Sequence, residues 1–306
     1  MPLKKESDFI KMQDLNIGLI CIAASAVLLV IIALIIFFRR EMPPFQTVLI
    51  SGSPAQALAY IKTGADPNGR DEYGITPLMV AAAYNKNTKV TDVLLKAGAS
   101  VTLKDSEGMT ALFHAIKNNA PQKTLDLLIK RGSNLYDKTN AGQTALTIAL
   151  SNKPTNSLLF WLKNHGMDIN ERDKNGLTPL MHAIQQNTSV EVVKTLLSLG
   201  ARTSDRAEFG VTPLMLAAGK NLNPYILMTL LENGAGIDDR SAEGLTPLMY
   251  AAAFNPNPET VEVLIDCGAR IPLTDKDGNT ALDYAKNNPK LYETETYWRL
   301  NNLSYE

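Results

Sequence analysis

The chain has 306 residues, 45% of them hydrophobic and 20% charged, with a formal net charge of -1. That composition can bury a substantial core, and its near-neutral balance offers no basic footprint to a nucleic acid. The two cysteines, Cys21 and Cys267, lie in unlike segments, which excludes a disulfide framework and a zinc-type thiolate cluster.

In chain order, a short polar tail (1–16) comes first, and Ile17 to Phe38 then runs for 22 residues without a charge. As a helix that run spans roughly 33 Å against about 30 Å of hydrocarbon, so it is expected to cross a membrane. It exceeds the apolar core of a cleaved leader, and bulky residues run straight into Arg39 and Arg40, so the reading is an uncleaved single-pass anchor flanked by those arginines. Cys21 is read as an ordinary lipid-facing side chain. Lys4, Lys5 and Lys11 before the span balance Arg39 and Arg40 after it, and the sidedness stays open. A linker of 39–43, with no stalk, leads into the remainder of the chain.

From there the sequence repeats with a period of 34 residues. Thr76, Thr110, Thr144, Thr178, Thr212, Thr246 and Thr280 keep this spacing, each followed by Leu two residues on and Ala five residues on. Fourteen of the 19 glycines fall at two positions of the repeat, one series beginning at Gly64 and the other at Gly74. The copy from Glu243 to Ala269 shows the physical content. Gly244 permits the positive φ of a tight turn, and Thr246-Pro247 supplies a capping hydroxyl followed by a residue whose missing N–H costs nothing. A short helix follows. Asn255 is expected to end it in a left-handed conformation, Asn257-Pro258 to start a second helix, and Val261, Leu264 and Ile265 to give that helix one apolar stripe. A pair this short exposes its apolar face unless copies stack on both sides, so the expected fold is an all-α solenoid of helix-turn-helix units with hairpin loops, preceded by one transmembrane helix. Ala81, Ala115, Ala149, Ala183, Ala217, Ala251 and Ala285 are small enough for inner helices to approach closely.

The pattern D-x-x-G-x-T-P-L-x-x-A-A, the second-helix ending L-L-x-x-G-A and the period together resemble an ankyrin-repeat array over 44–306. Its first, atypical repeat covers about 42–75, with Ser53-Pro54 opening the second helix and Gly64-Ala65 ending it. Later repeats start near 71, 105, 139, 173, 207, 241 and 275. A C-terminal cap at about 289–306 is expected to seal the stack with Leu291 and Trp298 while Glu293, Glu295 and Arg299 face water. Two departures from the family stand out. The extra residue of the 34 falls between the helices, as in Tyr84-Asn85-Lys86-Asn87, and resembles bacterial forms of the repeat. The family's frequent His after T-P-L is replaced by Met79, Met181, Met215 and Met249, and by Phe113, Thr147 and Asp283, which removes that histidine's hydrogen bond.

No catalytic or cofactor motif appears: there is no nucleophile elbow, P-loop or His-Glu-x-x-His run. His114 and His182 share a repeat position two repeats apart, roughly 20 Å, too far to share a metal or a proton. His165 stands in a last helical turn, and acidic dyads such as Asp238-Asp239 read as solvated. The expectation is therefore a non-enzymatic scaffold with no cofactor, no metal and no nucleic acid.

The resemblance implies that a protein partner meets the hairpin tips and the concave face of the inner helices. The tips supply Glu72, Tyr73, Glu107, Lys174, Glu208, Phe209 and Glu243; the inner-helix ends supply Tyr84, Lys117, Lys220 and Phe254. Aromatic residues there are the natural anchors. The expected setting is a bacterial inner membrane, with the bilayer contacted through 17–38 and an unidentified, membrane-proximal protein partner. The alternative is a structural accessory that supports or protects an envelope enzyme or stress-response system.

Overall fold

The computed structural model describes residues 44–304 except 187–188 and 221–222. The expected membrane helix at 17–38, its flanking Arg39 and Arg40, and the polar tail lie outside the described residues. Among the described residues no helix is long and apolar enough to cross a membrane.

Those residues form sixteen α-helices and no strand. They come in eight pairs. The first four are α1 (Pro44–Ser51) with α2 (Pro54–Lys62), α3 (Pro77–Tyr84) with α4 (Thr88–Lys96), α5 (Ala111–Lys117) with α6 (Gln122–Lys130), and α7 (Ala145–Leu150) with α8 (Asn156–Asn164). The last four are α9 (Pro179–Gln185) with α10 (Val190–Ser198), α11 (Pro213–Lys220) with α12 (Pro224–Glu232), α13 (Pro247–Phe254) with α14 (Glu259–Asp266), and α15 (Ala281–Lys286) with α16 (Glu295–Leu303). Odd-numbered helices pack on one another as an inner row and even-numbered helices as an outer row, so each pair touches its neighbours in the stack.

The inner helices are apolar on nearly every side, as helices flanked by copies of themselves must be. In α3 every residue from Leu78 to Ala83 is buried, and the seven register alanines from Ala81 to Ala285 are at most 1% exposed. Replacing one with a bulky residue overpacks the stack at a cost of about 1–3 kcal/mol. The outer helices bury one stripe. In α14, Val261 and Leu264 are buried and Ile265 is partly covered.

From α3 onward each inner helix begins at the register threonine, whose hydroxyl accepts the amide of the third helical residue, as Thr246 does from Met249 at 3.3 Å. The methionines also hydrogen bond. The sulfurs of Met79, Met215 and Met249 accept the amide N–H of Thr76, Thr212 and Thr246 at 3.3, 3.4 and 3.3 Å. Thr147 and Asp283 perform the same service with oxygen, at 2.8 and 3.0 Å. Replacing the family's histidine has thus kept a side-chain acceptor at the cap in these five repeats.

All fourteen register glycines have positive φ. Gly108 also lies close to the next hairpin, where an added Cβ would sit 2.7 Å from the backbone nitrogen of Asn140. Asn255 behaves differently from expectation. Its backbone is extended, at φ -84 and ψ 128, and its side-chain amide donates to the carbonyl of Ala218 at 2.7 Å in the preceding layer. Asn85 likewise reaches back to Leu49 and Gly52 at 3.1 and 3.2 Å, and Asn288 to Ala252 at 3.0 Å. In these turns the asparagine serves as an inter-layer tie, satisfying carbonyls at the helix end below. Left-handed backbone occurs in the same turn type at Asn119 and Lys153.

The last layer corrects a second expectation. Leu291 is buried, but Trp298 is 52% exposed, and Tyr297 and Leu300 close the stack instead. Those two are three residues apart and share a helical face, whereas Trp298 is turned about 100° from Tyr297. Arg299 does not simply face water. Its guanidinium holds Asp266 at 2.6 Å and also Glu262, tying α16 to α14.

Candidate binding surface

The hairpins between layers carry most of the side chains singled out from the sequence, and their construction starts from one aspartate. The Oδ1 of Asp105 accepts the amides of Glu107 and Met109 at 2.9 and 2.8 Å, while its Oδ2 takes His114 Nε2 at 2.7 Å. Asp173 repeats the unit, with Asn175 and Leu177 at 2.8 and 2.9 Å and His182 at 3.0 Å. Asp275 repeats it with Asp277 and Asn279 at 2.9 and 2.8 Å and the phenol of Tyr284 as donor. The two histidines are therefore hairpin braces. Each contact needs the imidazole proton on Nε2 when the ring is neutral.

The electrostatics follow from the same bonds. Burial alone would raise the Asp105 carboxyl, but the hydrogen bonds from His114 and from the amides of Met109 and Glu107 overcome it and hold the group below its ordinary range. Asp275 is lowered against burial in the same way by Tyr284 and the turn amides. Burial and the Asp275 carboxylate push the Tyr284 phenol well above its ordinary value.

The hairpin at Ala207 lacks both parts of this unit. Ala207 stands in the register of Asp105 and Leu216 in that of His114, so neither acceptor nor donor is present. There Glu208–Gly210 forms a 3-10 turn, and Phe209 adopts φ 58, ψ 18. A large side chain in left-handed backbone is uncommon and strained. Phe209 is also 72% exposed.

Adjacent hairpins are joined at their tips. The carbonyls of Tyr73, Glu107, Asn175, Phe209 and Glu243 accept the backbone amides of Ser106, Asn140, Glu208, Ala242 and Lys276 at distances from 2.7 to 3.3 Å. At their bases a second ladder of charges runs across layers. Lys138 meets Glu171 at 2.9 Å, Arg172 meets Asp205 at 2.9 Å, and Arg206 meets Asp239 at 3.0 Å. Arg206 and Arg240 also donate to the carbonyls of Arg240 and Thr274 at 2.7 and 2.6 Å. Asp238 holds Arg270 at 2.8 Å. The Asp238-Asp239 dyad, expected to be merely solvated, is thus a pair of inter-layer ligands.

These ladders fix where the named side chains stand. Glu72, Tyr73, Glu107, Lys174, Glu208, Phe209 and Glu243 are exposed along the row of tips. Tyr84, Lys117 and Lys220 are exposed at the ends of inner helices. Phe254 is half-buried, with its ring centroid 5.8 Å from that of Tyr250, so it is partly a packing residue. His165 caps α8, with Nδ1 2.8 Å from the carbonyl of Trp161 and its ring stacked on that indole. Among the described residues no group of three His, Cys, Asp or Glu is placed to hold a metal ion.

Eight stacked helix pairs, hairpins tied edge to edge and a row of exposed tips define a solenoid of the protein-interaction class. The sequence profile of ankyrin repeats matches it in three copies, at residues 47–139, 118–207 and 214–294. The chain belongs to the ankyrin-repeat family, whose arrays are protein–protein interaction modules. None of the curated proteins matches it significantly.

Proposed function

We propose that this protein is a single-pass, membrane-anchored, non-catalytic scaffold that holds a protein partner on its hairpin tips and inner-helix ends. Phe209 carries the reading. It is a large aromatic that stays in strained backbone while remaining mostly exposed, a combination that folding alone disfavours and that a recognition anchor explains. Tyr73 and Tyr84, 52% and 51% exposed, stand on the same tip and helix-end elements of the second layer, with Glu72, Glu107, Lys117, Lys174, Glu208, Lys220 and Glu243 as polar surroundings and Phe254 as a partly covered apolar contact. The uncharged run from Ile17 to Phe38 supports the anchor, and the short interval before Pro44 supports a partner in or beside the same bilayer.

The test is photo-crosslinking from position 209 in cells, with and without Ala at Tyr73, Tyr84, Phe209 and Phe254. A discrete crosslinked protein lost in the substituted chain, whose thermal unfolding stays cooperative, is the expected result. Identical crosslinking with all four side chains removed refutes the surface. Extraction of the chain from membranes by alkaline carbonate refutes the anchor.

A further inference from the structure

The face opposite the tips is formed by the outer helices, and its charge changes sign along the array. Residues 44–170 contain 13 Lys and Arg against 9 Asp and Glu, whereas residues 171–306 contain 12 against 18. The gradient is sharpest at one register position of the outer helices. Lys62, Lys96 and Lys130 occupy it in α2, α4 and α6, and Glu232 and Asp266 occupy it in α12 and α14; all five are exposed. Near the middle of this face Phe160 on α8 is 46% exposed, on a helix whose Leu158, Leu159, Trp161 and Leu162 are buried.

We propose that this face binds a second copy of the chain, with the layers running in opposite directions about a two-fold axis along α8. Such an axis keeps each register position at its height and reverses the order of layers. Helix α8 meets its counterpart, α6 meets α10, α4 meets α12 and α2 meets α14. Phe160 then packs on Phe160 of the second copy, and four charge–charge pairs on either side are complementary, while Asp92 meets Met228 and Leu58 meets Glu262. Lys123 faces Glu191, Asp126 faces Lys194, Lys96 faces Glu232 and Lys62 faces Asp266, each occurring twice. The alternation within α6 and α10 is the strongest part of the match, because Lys123 and Asp126 are of opposite sign and so are Glu191 and Lys194, in reversed order. Pairing the same faces with layers in parallel needs an axis along the stack, which reverses height and sets like charges together within each helix, Lys89 opposite Lys96, Lys123 opposite Lys130 and Glu259 opposite Asp266. Charge alone therefore selects the antiparallel arrangement.

Lys96 and Asp266 already meet Asp92 and Arg299 at 2.7 and 2.6 Å but keep most of their side-chain surface exposed, and the central groups are open. Lys123, Asp126, Glu191 and Lys194 are all exposed. Asp126 spends one oxygen on the indole N–H of Trp161 at 2.7 Å, yet its side chain remains 49% exposed. An open depression lined by Pro121, Gln122, Lys123 and Asp126 lies where the first turn of the opposing α10 arrives. Lys163, one turn beyond Phe160, has a stem long enough to carry its ammonium to the rim. The interface leaves the tips and inner-helix ends uncovered, so a dimer presents two partner surfaces facing away from each other.

The test uses the purified full chain in mild detergent, followed by sedimentation velocity at low and high salt. The chain is expected to be dimeric in about 50 mM salt and to dissociate as the Debye length falls toward 3 Å at 1 M. Lys123→Glu and Glu191→Lys, each placing like charges together twice, should each raise the dissociation constant by roughly tenfold or more. The double variant restores opposite charges and should recover the dimer. No contact within one chain joins these two positions, so recovery reports an intermolecular pair. A monomer at every salt concentration, a dimer indifferent to both salt and single variants, or a double variant no better than the singles each overturns the proposal. So does binding of the basic layers to anionic vesicles by a chain that remains monomeric.

Discussion

The hairpin at Asp105 and the hairpin at Ala207 occupy the same place in copies three repeats apart, and they are built on opposite principles. In the first, a buried carboxylate gathers two backbone amides and a histidine, and the residue at the tip, Glu107, is polar and unstrained. In the second no carboxylate gathers the turn amides, only Arg206 reaches the carbonyl of Gly210 at 3.1 Å, and Phe209 sits outward in left-handed backbone. The difference teaches that the array separates its tasks by position. Hairpins with a complete clamp have their own turn fixed by side chains, and the hairpin at Ala207, without one, displays a large side chain from strained backbone.

Removing a clamp is the most damaging way to break the contrast. Asp105→Ala strands two amides and the His114 ring, and is expected to destabilise the surrounding layers by about 2–4 kcal/mol, read as a loss of hydrogen-exchange protection centred on residues 105–116. Acid attacks the same point. Asp105 is held below its ordinary value near 3.8, so its contribution is complete above that pH and lost as pH falls through the lower, folded value. Stability measured from pH 5 down to pH 2 should therefore fall more steeply in the native chain than in Asp105→Asn, whereas the Ala207 hairpin adds nothing to the slope.

Installing the clamp sharpens the comparison from the other side. Ala207→Asp combined with Leu216→His should add about 1 kcal/mol of stability, by charge-assisted bonds to the turn amides, and should reduce crosslinking from position 209. A gain in stability with undiminished crosslinking separates the turn geometry from recognition. The smallest expected effect is that of Phe209→Gly, which relieves the positive φ but loosens the unfolded chain, for a net change within about 0.5 kcal/mol. Retained partner capture in that variant would remove Phe209 from the binding surface.

The architecture was legible because a stack constrains every copy alike. The register threonines, alanines and glycines each answer a requirement met in each layer, so the requirement appears as a period. Interactions between copies were harder to see. Arg206 and Asp239 are 33 residues apart, and nothing local distinguishes them from solvated charges. The clamp did leave a trace. Asp105, Asp173 and Asp275 are followed nine residues later by His114, His182 and Tyr284, whereas Thr139 and Ala207 are followed by Ile148 and Leu216. Comparing copies for differences, after aligning them for likeness, exposes that coupling, and Asp71 with Val80 and Ser241 with Tyr250 are its exceptions. Trp298 was misplaced for another reason. The cap departs from the repeat, so no register decides which of Tyr297 and Trp298 faces inward, and only the buried set of α16 resolves it.

The ladders at the hairpin bases also determine how the array responds to force. Each rung, such as Arg172 to Asp205 or Arg206 to Asp239, joins one layer only to the next, so a pull on the C-terminus loads the rungs in series. Among the described residues the last layer has a neighbour on one side alone, and a pull from its end makes it yield first. Extension then proceeds in steps of one repeat, each releasing roughly 110–120 Å of chain, so a tether built this way pays out length in fixed increments while the layers behind it keep their shape.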